Sequence, residues 1–510
     1  MAGIGFELKK LFHRRGLMAM LRAYGYAGVI CAGPMLLGVL LQFGVLIVSR
    51  WWQVGRPDRD LLVCMITYTL LASLVLTSFL SMPVTRFLAD MLFDHDEKMI
   101  LPSFWGSTGI MLVVGAVLYT VFLLFSGATL MQGALCLWLF LEMIVNWNAM
   151  SYLTAIKDYK SILYSFVAAV LVAFVTSCVL LALACPPVES LLFAVVLGYG
   201  VMLVWDVLLL HRYFPQSRKH PWLFLQWVDQ FLPLALTGLL TTIGLFAHLV
   251  ITWCGPLGIK VYGAPYYDVP AMLAFLTILI TTVNFVVSVE VNFYPTYRSY
   301  YSLLNDGGTV KDITVAENEM LAVLNRELHY TALKQLLVTA AVISLEKTVL
   351  NALPLGFNDA MHGYFRVLCV GYALYAVGNT VMLILLYFTD YSGALTASAL
   401  FAGSTVVFTV IGQFFTTSLF GFGFLMGASL FAIYATFRLA SYTDNLPYRV
   451  LGQQPIVAQT KRGRFTELGI LLEHGEQRVD QSLHRSGHAR SSDKANIAET
   501  DVIIGRNRKS

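Results

Sequence analysis

The chain has 510 residues, of which 57% are hydrophobic and 13% charged, with a formal net charge of +4 and a mean hydropathy of +0.70. Polar side chains are too few to cover a soluble fold, so this is an integral membrane protein, all-α because apolar runs dominate it. Seven cysteines sit mostly inside apolar runs, without metal-ligand spacing, which argues against a disulfide or zinc framework; nothing resembles a metal site, a cofactor motif or a nucleic-acid surface.

The chain opens MAGIGFELKKLFHRRG. As a helix, this stretch puts Ile4, Leu8, Leu11 and Phe12 on one face, with Lys9, Lys10, Arg14 and Arg15 around the rest, so residues 1–23 are expected to lie on an anionic, cytoplasmic leaflet. The first apolar run is full length and no cleavage site follows it, which argues against a cleavable signal peptide. Runs long enough to cross about 30 Å of hydrocarbon follow at residues 24–49, 61–82, 103–125, 128–151, 160–184 and 187–210. A basic linker containing HRYFPQSRKHPW, within 211–228, separates them from runs at 229–254, 269–291, 332–352, 364–388, 393–417 and 418–440. The expectation is about twelve transmembrane helices in two six-helix lobes, 24–210 and 229–440. A cytoplasmic stretch at 292–331 interrupts the second lobe, and its VAENEMLAVLNRELHY segment reads as an amphipathic helix. The tail, 441–510, is expected to be largely disordered and cytoplasmic, with one short helix around FTELGILLEH.

Lys and Arg orient this topology. With the N-terminus inside, sixteen precede the tail on the inner side, and five, Arg50, Arg56, Arg59, Lys260 and Arg366, fall outside. Both termini should therefore face the cytoplasm.

Ionisable residues within spans are the default functional candidates, because each is costly in hydrocarbon. They are Glu142, Asp206, His248, Glu290, Glu346 and Lys347. Glu142 is expected to line a pathway, and His248 to be a packed, hydrogen-bonded histidine. Asp206, Glu290, Glu346 and Lys347 are candidates for gating or ion pairing; Glu346 and Lys347 diverge by about 100° on a helix and so pair elsewhere. Along the eighth span Thr277, Thr281, Asn284, Ser288 and Asn292 fall within about an 80° arc, as do Tyr364, Tyr372, Tyr375 and Asn379 on the tenth. Such stripes either join helices or line a wetted path. The path reading takes Thr281, Asn284, Ser288, Tyr372, Tyr375 and Asn379 as walls between the lobes, with Glu142 opposite. Apart from Lys347 no Lys or Arg is expected deep in a span, which favours a neutral cargo over one bearing pyrophosphate. No GxxxxGK[ST] loop is present, so the chain is not by itself an ATP-driven pump.

The opening MAGIGFELKKLF, followed by twelve spans, resembles the PelG family of inner-membrane transporters of Pel exopolysaccharide systems, and FYPTYRSYY at 293–301 resembles a stretch that family carries after its eighth span. The resemblance covers about residues 1–440. It implies a relative of the multidrug/oligosaccharidyl-lipid/polysaccharide flippase superfamily, with two lobes around a central cavity in a bacterial inner membrane. The cargo it implies is a growing neutral acetamido-sugar polymer, and the partners a cytosolic glycosyltransferase and membrane proteins that sense cyclic-di-GMP. Phe293, Tyr294, Tyr297, Arg298, Tyr300 and Tyr301 are then candidates for partner docking. Two other classes stay open: a cation-coupled antiporter using Asp206 or Glu290, and a membrane glycosyltransferase, for which only the loop pairs Asp58/Asp60 and Asp94/Asp96 speak.

Overall fold

The computed structural model describes residues 41, 43–156, 159–215, 220–259, 262–305, 307–352, 355–415, 417–453 and 463–475. Among them are eleven helices long and apolar enough to cross a membrane, and a single isolated bridge, Ile259 with Gly263. α1 covers 43–51; most of the first expected span and the opening segment 1–23 lie outside the described residues. The first lobe continues with α2 (Arg56–Phe93), α3 (Ile100–Phe125), α4 (Leu130–Ile156), α5 (Tyr159–Ala182) and α6 (Pro187–Tyr213). A short α7 (Leu225–Gln230) lies in the linker. The second lobe holds α8 (Leu232–Trp253), α9 (Pro265–Asn305), α10 (Val310–Ala352), α11 (Asp359–Tyr387), α12 (Tyr391–Gln413) and α13 (Phe422–Thr443). Beyond it are α14 (Leu446–Gln453) and α15 (464–475), the latter where FTELGILLEH was expected to be helical.

The stretch 292–331 is not an irregular connector. α9 runs on to Asn305, and α10 begins at Val310 and continues for 43 residues. At 1.5 Å per residue α10 is about 64 Å long, twice the hydrocarbon thickness, so the tip of the α9–α10 hairpin stands in water. The sequence breaks only at NDGG, where Gly307 takes φ of +87°. Thr309 then starts α10 by accepting from the Asp312 N–H (3.2 Å) and donating to its carboxylate (2.7 Å). α9 is itself uneven, with a tight 3₁₀ turn at Leu276–Ile278 and a wide π turn at Ser288–Phe293. Pro295 explains the second: it has no N–H for the Val291 carbonyl, and its ring crowds that carbonyl, so the helix widens just before it.

α2 to α6 pack on one another, as do α8 to α13, and the main contact between the lobes is α2 on α8. Gly238 sets its closeness. A Cβ there would lie 2.7 Å from the Ser78 carbonyl oxygen and 3.5 Å from Met82 Cγ, so the two backbones touch where a side chain is missing. An ion pair ties α10 to α11: the exposed Arg366 guanidinium meets the carboxylate of Glu346, which is 3% exposed, with His362 3.8 Å away. Lys347 is exposed and turned from this pair.

Gly238→Ala should force α2 and α8 apart and destabilise the bundle by about 1–3 kcal/mol. Gly403→Ala, on α12 with open space around it, should be neutral or gain up to ~1 kcal/mol. Thermal unfolding of the two variants in detergent checks the pair.

Candidate functional site

Four cavities frame the functional question. Between the lobes lies one of about 540 Å³, walled by α2, α3 and α4 on one side and by α8 and α12 on the other. Its lining includes the rings of Tyr68, Tyr119, Phe122, Phe140, Phe246 and Trp253, and no charged residue. The polar tips turn away from it: Tyr119 and Thr69 share a 2.6 Å hydrogen bond, the Tyr68 hydroxyl lies 3.7 Å from Cys136 Sγ, and Trp253 Nε1 donates to both Asp268 oxygens at 2.9 and 3.0 Å. What the cavity receives is therefore aromatic faces, the surface that sugar C–H edges pack against.

At the end of the bundle away from the linker, α1, α2, α9 and the 355–361 turn enclose about 100 Å³ lined by Arg50, Arg56, Arg59 and Asp60. Arg59 Nε is buried there without a partner. A third cavity, about 1200 Å³, is walled by α3, α4 and α6 with Ser161 of α5 at its edge. Glu142 stands in it, taking a 2.6 Å hydrogen bond from Trp138 Nε1, while its Oε2 is buried and unpartnered. The fourth, about 230 Å³, lies between α10, α11 and α13, with Asn325, His329, Thr331, Thr380 and Thr443 among its walls.

The expected pathway residues are not gathered around one space. Glu142 is not opposite the α9 stripe, because every wall of its cavity belongs to the first lobe. Thr277, Thr281, Asn284 and Ser288 are buried and face α10. Asn284 Nδ2 donates to Thr331 Oγ1 (2.7 Å), and Lys334 Nζ donates to Asn284 Oδ1 (2.6 Å). Thr281 donates to Gln335, whose Nε2 reaches Thr339 Oγ1 at 3.1 Å. The physical reason is the cost of unmade bonds: two polar stripes in a dry bundle satisfy each other. The partner stripe, Thr331, Gln335 and Thr339, repeats every four residues. Sequence reading did not single it out, although Gln335 and Thr339 fall inside the expected span 332–352; Lys334, counted there among the inner-side cations, is exposed and reaches the seam from its edge.

Tyr372 and Tyr375 belong to the core of the second lobe; Asn379 on the same helix is half-buried. Tyr375 stacks with Phe401 (5.5 Å between centroids) and Phe431 (6.2 Å). His248 has partners for both nitrogens, Tyr267 at 2.8 Å and Tyr372 at 3.4 Å, and so is the packed histidine that was expected. Asp206 is fully buried, and neither of its oxygens meets a donor with hydrogen-bond geometry; the Ser165 hydroxyl beside it donates to the Ile162 carbonyl instead (2.8 Å). Glu290 lies on the π turn, and its side chain lies outside the described residues.

The aromatic run after the π turn faces inward. Phe293 and Tyr300 are buried, and the Tyr297 hydroxyl donates to the Tyr387 carbonyl at 3.0 Å with its ring 4.4 Å from Tyr301. Tyr294 is half-buried and Arg298 is exposed. Nearby, Asp390 caps α12 and takes Arg438 Nε and a terminal nitrogen at 2.7 and 2.9 Å. Burial raises the Asp390 carboxyl, but the Arg438 and Gly393 bonds outweigh it and hold it below the usual carboxylate range.

A family model described as "PelG: Putative exopolysaccharide Exporter (EPS-E)" matches residues 1–451. Comparison with curated proteins gives no match. Among solved structures, the chain is similar to an outward-facing multidrug resistance MATE family transporter of the MOP superfamily, with a TM-score of 0.55 and 15% identity over 82% of this chain and 96% of that one. It is also similar to a MOP superfamily transporter from Pyrococcus furiosus, with a TM-score of 0.55 and 16% identity over 82% and 96%. An inward-facing MATE structure gives 0.54 and 14% over 81% and 95%. At these identities the likeness carries the fold alone: a multi-pass helical bundle of two lobes.

Asn284→Ala should leave Thr331 and Lys334 each one partner short and cost about 1–3 kcal/mol. Ser288→Ala removes only a 3.4 Å contact and should cost under ~1 kcal/mol. Urea or thermal unfolding in detergent separates the two.

Proposed function

The chain belongs to the PelG family of exopolysaccharide exporters, and from that premise we propose that it passes a neutral acetamido-sugar polymer across a bacterial inner membrane through the cleft between its lobes. The observation that carries this reading is the inter-lobe cavity, lined by aromatic faces and free of charge. A polymer that moves needs many weak, replaceable contacts, whereas a charged site would hold one segment in place. The linker end faces the cytoplasm on this reading, supported by the sixteen-to-five distribution of Lys and Arg. A cytosolic glycosyltransferase would feed the polymer from that side, alongside membrane partners that sense cyclic-di-GMP. The docking surface is then the tip of the α9–α10 hairpin, where Val310 and Val315 are 82% and 58% exposed and Arg298 points outward; most of the inward-facing tyrosines shape it from beneath. The α9–α10 seam and the tyrosines of α11 serve as walls only if the second lobe loosens during transport.

Phe246→Ala should remove one aromatic face from the cavity and lower secreted polysaccharide by about fivefold, the equivalent of ~1 kcal/mol. Tyr68→Phe keeps the face and should be silent. Equal secretion from both at equal membrane levels would remove the cavity from the path.

Asp206 favours a second reading, in which a cation gradient drives the movement. A carboxylate with neither oxygen bonded, wholly inside a lobe, is costly unless a cation accompanies it. Asp206→Asn should then abolish stimulation of export by a proton or sodium gradient in proteoliposomes. Undiminished stimulation removes coupling through this residue.

A further inference from the structure

The family match ends at residue 451, and among the described residues beyond it one more helix, α15, seats on the bundle. α15 has no capping side chain of its own. Asp229 of the linker takes its first N–H groups instead, from Gly463 (3.1 Å), Phe465 (3.3 Å) and Thr466 (2.6 Å), and also the Thr466 hydroxyl (2.6 Å). One carboxylate thus satisfies groups that would otherwise face water at the start of the helix. Burial pushes the Asp229 carboxyl up, but these bonds outweigh it and hold it below the usual range.

The seat is shaped for this segment. A Cβ on Gly463 would lie 2.4 Å from Asp229 Oδ1, and one on Gly469 would lie 3.3 Å from the Trp222 carbonyl and 3.4 Å from Leu225. At the other end of the helix Glu473 meets His220. Little apolar area holds it, since Leu468, Ile470 and Leu471 are exposed and only Phe465 and Leu472 pack against the core; Asp229 and the ring of Phe465 hold its first turn.

That ring lies 6.1 Å from Phe79 of α2. Tyr68, Ala72 and Val75 of α2 line the inter-lobe cavity, and Phe79 continues their spacing of four, three and four residues toward the linker end. It follows Ser78, whose carbonyl meets Gly238 of α8, while Asp229 stands three residues before α8 begins. The segment Gly463 to Thr466 therefore grips α2 and the root of α8 together, beside their closest approach.

We infer that α15 is a latch across the two lobes, and that the inter-lobe cavity opens toward the linker end only when α15 leaves Asp229. The receptor surface is Phe79, Trp222, Leu225 and Asp229, and its occupant is the chain's own segment 463–475. The inference rests on the proposed function only in taking the cleft as the path, and its test needs no cargo.

The test uses the full chain carrying Val75→Cys, reconstituted in vesicles, with a membrane-impermeant maleimide added on the linker side and labelling counted above that of the parent chain. Trypsin cleavage at the exposed Arg464 reports release of α15. Asp229→Ala and Phe465→Ala should each speed cleavage and raise labelling at position 75 by about fivefold, and together should add little, since they break one latch. Leu471→Ala should change neither. Faster cleavage with unchanged labelling would show that α15 decorates a closure made by α2 and α8 alone. Unchanged cleavage in Asp229→Ala would show that Asp229 does not hold it. If Asp229→Ala fails to fold, Asp229→Asn, which keeps the size and loses the charge, is read by the same criteria. A failure of polysaccharide export would leave these rates untouched, so the two readings fail separately.

Discussion

Two helices approach to backbone contact only where a side chain is missing, and between these lobes that place is Gly238 against Ser78. The rest of the architecture is arranged around this crossing. Above it α2 and α8 diverge enough to leave an aromatic cavity. Beside it the linker tucks under the first lobe, with Trp227 Nε1 donating to Asp90 at 2.8 Å and its ring edge-on to Phe87. Phe231 then reaches Tyr391 of the second lobe. Any movement of one lobe on the other has to change this contact.

Inside the lobes the governing cost is the unsatisfied polar group. It explains why α9 and α10 zip together through Asn284, Thr331 and Gln335, why Glu346 has Arg366, and why Asp390 has Arg438. It also marks the exceptions. Glu142 Oε2 in the first lobe and Glu346 Oε2 in the second have no such partner, and Asp206 has none for either oxygen. Paired groups tie helix to helix, and a carboxyl with neither oxygen bonded is where a mobile charge would be felt.

The fold is shared with MATE-type transporters at about 15% identity, so the chemistry of the cargo cannot follow from the fold. It resides in the linings. The inter-lobe cavity is neutral and aromatic, whereas the far mouth collects Arg50, Arg56 and Arg59. No Lys or Arg lines the first, and the three arginines of the second fall where the first outer loop was expected.

Much of this was legible in the sequence because hydrocarbon thickness acts on composition directly. Every expected span from the second to the twelfth has its helix, and even the FTELGILLEH segment of the tail is helical. The periodic stripe on α9 was legible too, since 100° per residue needs no tertiary knowledge. What the stripe faces was not. A row of Thr and Asn looks the same against water, a sugar or another row, and its partner on α10 is only three residues, Thr331, Gln335 and Thr339, on a 43-residue helix that carries its charged half into water without a break. The aromatic lining of the inter-lobe cavity was equally invisible, because Phe140 or Phe246 in a sequence is indistinguishable from core. The seat of α15 on Asp229 joins residues 234 to 237 positions apart. Local pattern dictates helices and the faces they carry, while only the folded chain decides which faces meet.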